Sequence, residues 1–407
     1  MCGIYGIFSQ YKTVLNLKEL KKLQDRGQDS WGVGYFNDDW VVEKGFGRVP
    51  DKHINAQFMI GHVRYCTSGS ADNEKEIQPL YGNNFLLAHN GNIPGCPEHD
   101  STFLVNYLNR FDFIEDGLVE MVRNITGVYS LVVLTEDAIY AVRDCKGVRP
   151  LCLIIGDGVY TVASESDSPT FDIKPGEIIK INEDGPKVLY RRIEKTSLCI
   201  FEHIYFLNPK SVVDDYVVGD MRQRMGRILA SYDTFPVQNY VVVGVPASGV
   251  DPGMGYSKRS GIEYSQLIKK SNQVRSFIQP TTSSRTKTCA EKYEFMDIEN
   301  KNIILVDDSL VRGITMKNLV HVLKEKGARE IHVRINSPPV KSPCFFGIDM
   351  AKKELVAQTS SVEEICSMIG ADSLVFLKEN DMAQLFSKHL FCRACFTGMY
   401  DSQLFSW

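Results

Sequence analysis

The chain has 407 residues, 46 basic and 50 acidic side chains for a net charge of −4, and is 24% charged and 43% apolar. This is too long for one ordinary domain, and the composition is that of a folded globular protein rather than a disordered or fibrous one. No block of like charges offers a footprint for nucleic acid or anionic lipid, and no stretch reaches the roughly 18 apolar residues of a membrane helix. Small molecules are therefore the expected partners, with no nucleic acid and no membrane. A leader pattern is not seen at the N-terminus, so a cytoplasmic location is expected. Eleven scattered cysteines in a reducing compartment point to thiols, catalysis or metal rather than to disulfides.

Short β-like runs dominate the first 195 residues: CGIYGIF, GVGYF, FMIGHVRY, NFLLAHNG, YSLVVLT, AIYAV and LCLIIG, each bounded by Gly, Asn or Asp turn signals. Apolar periodicity predicts helices around Leu17–Leu23 and Phe103–Leu108. The pattern changes near residue 200, and 187–200 reads as a connection. A helical stretch at Asp220–Ala230 is followed by YVVVGVP, NIILVDD, a helix beginning near Thr315, and EIHVRINS, the strand–helix alternation of a doubly wound parallel sheet. Between them, 281–300 is polar and aperiodic, as a lid or loop would be.

The chain begins MCGIYGIF, so removal of Met1 would make Cys2 the first residue. An α-amine has a reference pKa of about 7.7–8.0 and can take the proton of its own residue's thiol near neutral pH. One residue then supplies nucleophile and base, and an acyl or carboxamide substrate would give a thioester. With CGIYGIF stand DRGQDSWG at 25–32, GHVRYCTSG at 61–69 and AHNGNI at 88–93. Together these resemble the class II, N-terminal-nucleophile glutamine amidotransferases, whose domain is a four-layer αββα sandwich. The resemblance implies Cys2 as nucleophile, Asn90 and Gly91 of HNGN as oxyanion donors, Arg64 of HVRY as a clamp on glutamine's α-carboxylate, and Asp100 of EHDST as partner of its α-ammonium. His62, His89 and Arg26 read as braces of the loops, and Trp31 and Phe36 as core.

In the second half, NIILVDDSLVRGITMKNLVHVLKEKG at 302–327 sets a buried strand before a helix whose N-terminus offers unpaired N–H groups to an anion. Two adjacent acids repel phosphate but suit vicinal hydroxyls. The stretch resembles the type I phosphoribosyltransferases. This implies that Asp307 and Asp308 face the ribose hydroxyls and a Mg²⁺-bound substrate, with Ser309, Arg312, Gly313, Ile314 and Thr315 around the 5-phosphate. VVVGVPASG at 241–249 is similar to that family's pyrophosphate loop, with Ser248 in place and Ala247 where a carboxylate is usual. Arg285 and Lys292 match cationic positions of the family's flexible loop, while Ala290 stands where a second cation is common.

Both halves together, with CIFEHIYFLNPKS at 199–211 between them, resemble the amidophosphoribosyltransferases. The domains expected are residues 2–198, the glutaminase, and 199–407, the phosphoribosyltransferase with a cysteine-bearing tail. The implied reaction is glutamine hydrolysis at Cys2 and transfer of ammonia to phosphoribosyl pyrophosphate, giving 5-phosphoribosylamine, glutamate and pyrophosphate, the committed step of purine synthesis. The resemblance also implies a homo-oligomer (tetramer or dimer) and feedback inhibition by purine nucleotides. Cys199, Cys344, Cys392 and Cys395 stand where cluster-bearing relatives hold a [4Fe–4S] group; four thiolates also suit zinc. Two other readings use the same residues: another class II amidotransferase, against which VDDSLVRGIT speaks, and a catalytically impaired regulatory paralogue, which Ala247 and Ala290 keep open.

Overall fold

The computed structural model describes residues 1–11, 14–66, 72–96, 98–167, 170–271, 293–350 and 355–405. Its first half is built on period-two alternation. In the strand Gly3–Ser9, Ile4 and Phe8 point to one face and Tyr5 to the other, and in Phe58–Arg64, Phe58 and Ile60 oppose Met59 and Val63 in the same way. These strands sit side by side, antiparallel, in a seven-stranded sheet ordered 171–172, 152–155, 159–163, 3–9, 58–64, 30–37, 39–46. A second, six-stranded sheet runs 185–191, 177–182, 139–143, 128–134, 86–92, 80–81. Leu86, Ala88, Val132, Leu134, Ile139 and Ala141 pack from it onto Ile4, Phe8 and Ile60, so the two sheets share one core.

Each sheet carries helices outside. Leu20 and Leu23, from the helix Lys18–Lys22 and the turn after it, cover Tyr5, Met59 and Val63. Leu104, Val105 and Leu108 of Asp100–Leu108, with Leu118, Met121 and Val122 of Ile114–Asn124, cover Leu87, Leu131 and Val133. The layers are αββα, as expected. Ile114–Asn124 was not among the expected helices, although Leu118, Met121 and Val122 have helical spacing.

The strand Gly185–Arg191 still belongs to the second sheet, and Leu198–Cys199 then pairs in parallel with Phe391–Cys392, so the C-terminal tail returns to the junction. A helical turn, Glu202–Phe206, follows. The second half is a parallel sheet ordered Tyr240–Gly244, Asn302–Asp307, Glu330–Ile335, Ser373–Phe376. Successive residues of its second strand serve opposite cores: Ile304 and Val306 meet Met221, Met225, Leu229 and Tyr256 of the helices Val218–Ala230 and Val250–Ser260, whereas Ile303 and Leu305 meet Leu319 and Leu323 of Ile314–Glu325. Helices on both faces make the sheet doubly wound. No helix among the described residues is long and apolar enough to cross a membrane.

Candidate active site

Cys2 immediately precedes Gly3–Ser9, and the register that pairs Gly3 with Val63 brings it beside Arg64 at the end of the neighbouring strand. Its Sγ lies 3.8 Å from the carbonyl oxygen of Tyr65, and its own carbonyl accepts a hydrogen bond from Arg26 Nε at 3.1 Å. Met1 is 1% exposed, and burial pushes its amine down from 8.0 to about 6. Met1 packs at the junction between the halves.

Asn90 and Gly91 lie near the end of the strand Leu86–Asn92, paired across to Ser130 and Tyr129. A Cβ on Gly91 would stand 2.0 Å from the carbonyl oxygen of Val128, so only glycine allows this approach. Asn90 is 2% exposed, and its Nδ2 has no hydrogen-bond partner among the described residues. A buried amide donor left unpaired costs free energy unless a ligand meets it, and a developing oxyanion is such a ligand.

Arg64 is buried, with Nη2 on the Glu76 carboxylate and 3.6 Å from Cys66 Sγ. A glutamine carboxylate arriving at Arg64 would share that guanidinium with Glu76. Asp100 opens its helix, accepts from the backbone of Ser101 at 2.7 Å, and has His99 Nδ1 at 3.4 Å and His89 Nδ1 at 3.9 Å. His89 is held at Nδ1 by Ser101 Oγ (3.1 Å) and at Nε2 by the carbonyl of Val128 (3.4 Å). Burial lowers the pKa of His89, and that of His62 to about 3, so both rings are neutral near pH 7.

In the second half the strand Asn302–Asp307 delivers two carboxylates to its C-terminal end, the place where parallel sheets bind ligands. Asp308 is buried and accepts from Ser248 Oγ at 2.5 Å and from Ser309 Oγ; the backbone of Asp308 donates to Asp307 Oδ1 at 2.9 Å. Burial raises both carboxyl pKa values, and the charge of Asp308 raises that of Asp307 further. Gly313, at φ +75°, turns the chain into the helix Ile314–Glu325, leaving Ile314 and Thr315 exposed on its first turn. Arg312 Nη2 stands 4.0 Å from Asp349 Oδ2. The loop before Ser248 contains a cis Pro246–Ala247 peptide. Arg285, Ala290 and Lys292 lie outside the described residues.

Tyr65, whose carbonyl lies beside Cys2, and Tyr205 both sense charges of the second half. Burial raises the Tyr205 phenol, and Asp308, Asp307 and Tyr65 add to the rise; Tyr65 in turn feels Asp349 and Arg312. The sequence motifs assign no role to Tyr205, Glu202 or Arg149. Glu202 and Tyr205 fall inside CIFEHIYF, whose run of residue types was the only available signal, and Arg149 inside GVRP carried none.

Cys199, Cys344, Cys392 and Cys395 line one small apolar cavity with Val148, Arg149 and Phe346. Burial pushes the Cys199 thiol up to about 12 and raises those of Cys392 and Cys395. Arg149 is fully buried there, and its Nε has no hydrogen-bond partner among the described residues. Four thiols facing an orphaned guanidinium nitrogen fit an anionic, thiolate-held group. Among the described residues no three His, Cys, Asp or Glu are gathered closely enough for one metal ion.

Comparison with known proteins agrees with both halves. The phosphoribosyl transferase domain family matches residues 221–335. The chain is 37% identical to the amidophosphoribosyltransferase of Pyrococcus horikoshii, over 99% of this chain and 97% of that one. It is 32% identical to that of Bacillus subtilis, over 99% and 94%. A solved structure described as glutamine phosphoribosylpyrophosphate amidotransferase from B. subtilis, complexed with ADP and GMP, matches with a TM-score of 0.83 at 32% identity, covering 98% of this chain and 97% of that one. Sharing sequence along nearly its whole length and the fold of both halves with these enzymes, the chain belongs to the amidophosphoribosyltransferase family, the glutamine-dependent pentosyltransferases of the first step of purine synthesis.

Proposed function

We propose that this chain carries out the family reaction with Cys2 as nucleophile after loss of Met1. The Cys2 sulfur attacks the side-chain carbonyl carbon of glutamine while its proton passes to the new terminal amine. The carbonyl oxygen becomes an oxyanion, held by Asn90 Nδ2 and the Gly91 N–H. The proton then goes to the departing nitrogen, the C–N bond breaks, and NH₃ leaves a thioester that water converts to glutamate. Arg64 and Asp100 orient the glutamine by its carboxylate and ammonium. The unpartnered, buried Asn90 amide is the observation that carries this reading.

The ammonia lone pair then attacks C1 of phosphoribosyl pyrophosphate as the C1–O bond to pyrophosphate breaks, and loss of a proton gives phosphoribosylamine. Asp307 and Asp308 take the ribose hydroxyls, with Ser309, Arg312, Gly313, Ile314 and Thr315 around the 5-phosphate. Ser248 serves the pyrophosphate side, joined by Arg285 and Lys292. A bound Mg²⁺ would be held by Asp307 and Asp308 with the substrate and would neutralise the leaving group. Two adjacent carboxylates at one strand end, Asp308 buried and Asp307 raised by it, suit a divalent cation.

We further read Cys199, Cys344, Cys392 and Cys395 as ligands of a [4Fe–4S] cluster that clips the tail to the junction. The orphaned Arg149 Nε and the cavity shared by the four thiols support an anionic, thiolate-held occupant, with zinc the lesser alternative. Residues 2–198 and 199–407 are read as the two domains, the location as cytoplasmic, and the assembly as a tetramer or dimer under purine-nucleotide control. The nucleotides named for the B. subtilis structure support that control.

The deciding assay supplies glutamine, phosphoribosyl pyrophosphate and Mg²⁺ and measures glutamate and pyrophosphate together. Equal, mutually dependent release is expected. Cys2→Ala should abolish the use of glutamine and keep pyrophosphate release with added ammonia; loss of both would contradict this division of labour.

A further inference from the structure

A buried chain of charges joins the two halves and has no part in the steps above. Arg26, 1% exposed, donates from Nε to the carbonyl of Cys2 at 3.1 Å and from Nη2 to both oxygens of Glu202 at 2.9 and 3.0 Å. Glu202, also 1% exposed, accepts in addition from Arg149 Nη1 at 3.3 Å. Arg149 donates from Nη2 to the carbonyl of Phe346 at 2.5 Å and lines the four-cysteine cavity. Glu165 lies 3.6 Å from Arg26 Nη1, so two guanidiniums and two carboxylates balance in charge. One carboxylate from beyond the junction thereby ties the backbone of the nucleophile to the wall of the cysteine cavity.

The physical consequence is leverage. Removing one partner of a buried ion pair leaves the other charge uncompensated, and it moves to find water or another partner. Arg26 has little room to move without releasing the Cys2 carbonyl, which sets where the strand Gly3–Ser9 begins and hence where the thiol sits. A reacting atom misplaced by about 1 Å costs about a hundredfold in rate.

We propose that Glu202 is a positioning residue for the glutamine half-reaction, and that Arg149 makes that positioning responsive to what the four cysteines hold. The first part rests on the reading of Cys2 as nucleophile, the second also on the reading of the cysteines as metal ligands. No proton or electron passes along the chain; it transmits position.

The test uses the full-length protein. Four quantities are measured: kcat and KM for glutamine, the rate at which a glutamine-shaped chloroketone alkylates Cys2 (read by mass spectrometry), pyrophosphate release with added ammonium, and iron content. Glu202→Gln should lower both kcat and the alkylation rate by about a hundredfold, shift KM by less than about threefold, and keep the ammonia-driven reaction. Glu202→Asp should recover part of the loss. Should the Gln variant fail to fold, Arg26→Lys, which keeps the charge but loses the donor to Cys2, is expected to slow alkylation in the same way. A folded Glu202→Gln protein that is alkylated at the wild-type rate, or that loses the ammonia-driven reaction equally, overturns the first part. Stripping iron from the wild type with a chelator should slow alkylation in step with iron loss; unchanged alkylation, or a protein that never contained metal, overturns the second part alone. A wild type in which Cys2 is not the alkylated residue refutes the nucleophile reading instead.

Discussion

Arg143 and Asp214 form a two-pronged ion pair, Nη1 to Oδ1 and Nη2 to Oδ2 at 2.9 Å each, with both side chains buried. Arg143 ends a strand of the first half and Asp214 sits in the tight hairpin Val212–Val217 of the second, so the pair bolts the halves together. Burial by itself would raise the Asp214 carboxyl, but the Arg143 guanidinium outweighs it and holds the pKa below the ordinary value. Asp214→Asn removes the carboxylate paired with buried Arg143, whose charge is also felt by Asp172 and Asp144, and should lower the unfolding free energy by about 3 kcal/mol at pH 7. A carboxyl with a depressed folded pKa stabilises above its unfolded value of about 3.9 and loses that contribution as pH falls through the folded one. Urea titrations should therefore show the gap between wild type and variant closing below pH 4.

Asn90 supports a sharper prediction. Its Nδ2 has no partner to lose, so Asn90→Ala should leave the melting temperature nearly unchanged while kcat for glutamine falls by about 10²–10³-fold. Ammonia-driven pyrophosphate release should be retained. A fall in KM-dependent binding alone, with kcat intact, would remove Asn90 from the oxyanion role.

Asp307 and Asp308 set activity against stability. Burial raises both pKa values and Asp308 raises that of Asp307 further, so the pair in its charged form opposes folding near neutrality. Raised folded values mean that stability from this pair grows as pH falls, the opposite of Asp214. Asp307→Asn should raise stability at pH 7 and abolish the use of phosphoribosyl pyrophosphate. Calorimetry beside the pyrophosphate assay reads both, and a destabilised variant would count against the repulsion.

His203 reports on the junction. Its ring stacks edge-on against Tyr216, Phe386 and Phe391, and burial lowers its pKa to about 4. The unfolded chain therefore binds one more proton here between about pH 4 and 6.5, and stability falls with pH across that window. His203→Phe removes this share. The stability difference between variant and wild type should change by about 1.4 kcal/mol per pH unit from pH 6 to 4.5, and a flat difference would show that the ring titrates normally.

Much of this architecture can be read from local pattern. Ile4, Phe8, Phe58 and Ile60 alternate with Tyr5, Met59 and Val63, and period two is enough to predict two-faced strands in a sandwich. Met316, Leu319, Val320 and Leu323 at helical spacing after VDD predict the helix Ile314–Glu325 and the loop before it. Ile114–Asn124 is obscured in the sequence because IEDGLVEMVRN carries four charges and a glycine within one helix, although Ile114, Leu118, Met121 and Val122 recur at helical spacing. HNGN was readable as a short motif, yet whether the Asn90 amide was already spoken for was not.

What the sequence by itself determined is chemistry held within short stretches: a thiol next to the initiator, an amide beside a glycine, paired acids at a strand end before a helix, and a C-x-x-C near the C-terminus among eleven cysteines too scattered for a disulfide framework. Those signals survive in one dimension because backbone geometry fixes the relation between residues a few positions apart. Only the tertiary structure decided that Arg26 and Glu202, 176 positions apart, meet, that Arg149 closes the chain of charges to the cysteine cavity, and that Arg64 is already engaged by Glu76. Those contacts depend on how the two halves pack, and the energy of a buried charge depends on which partner packing brings to it, information that no local stretch of residues carries.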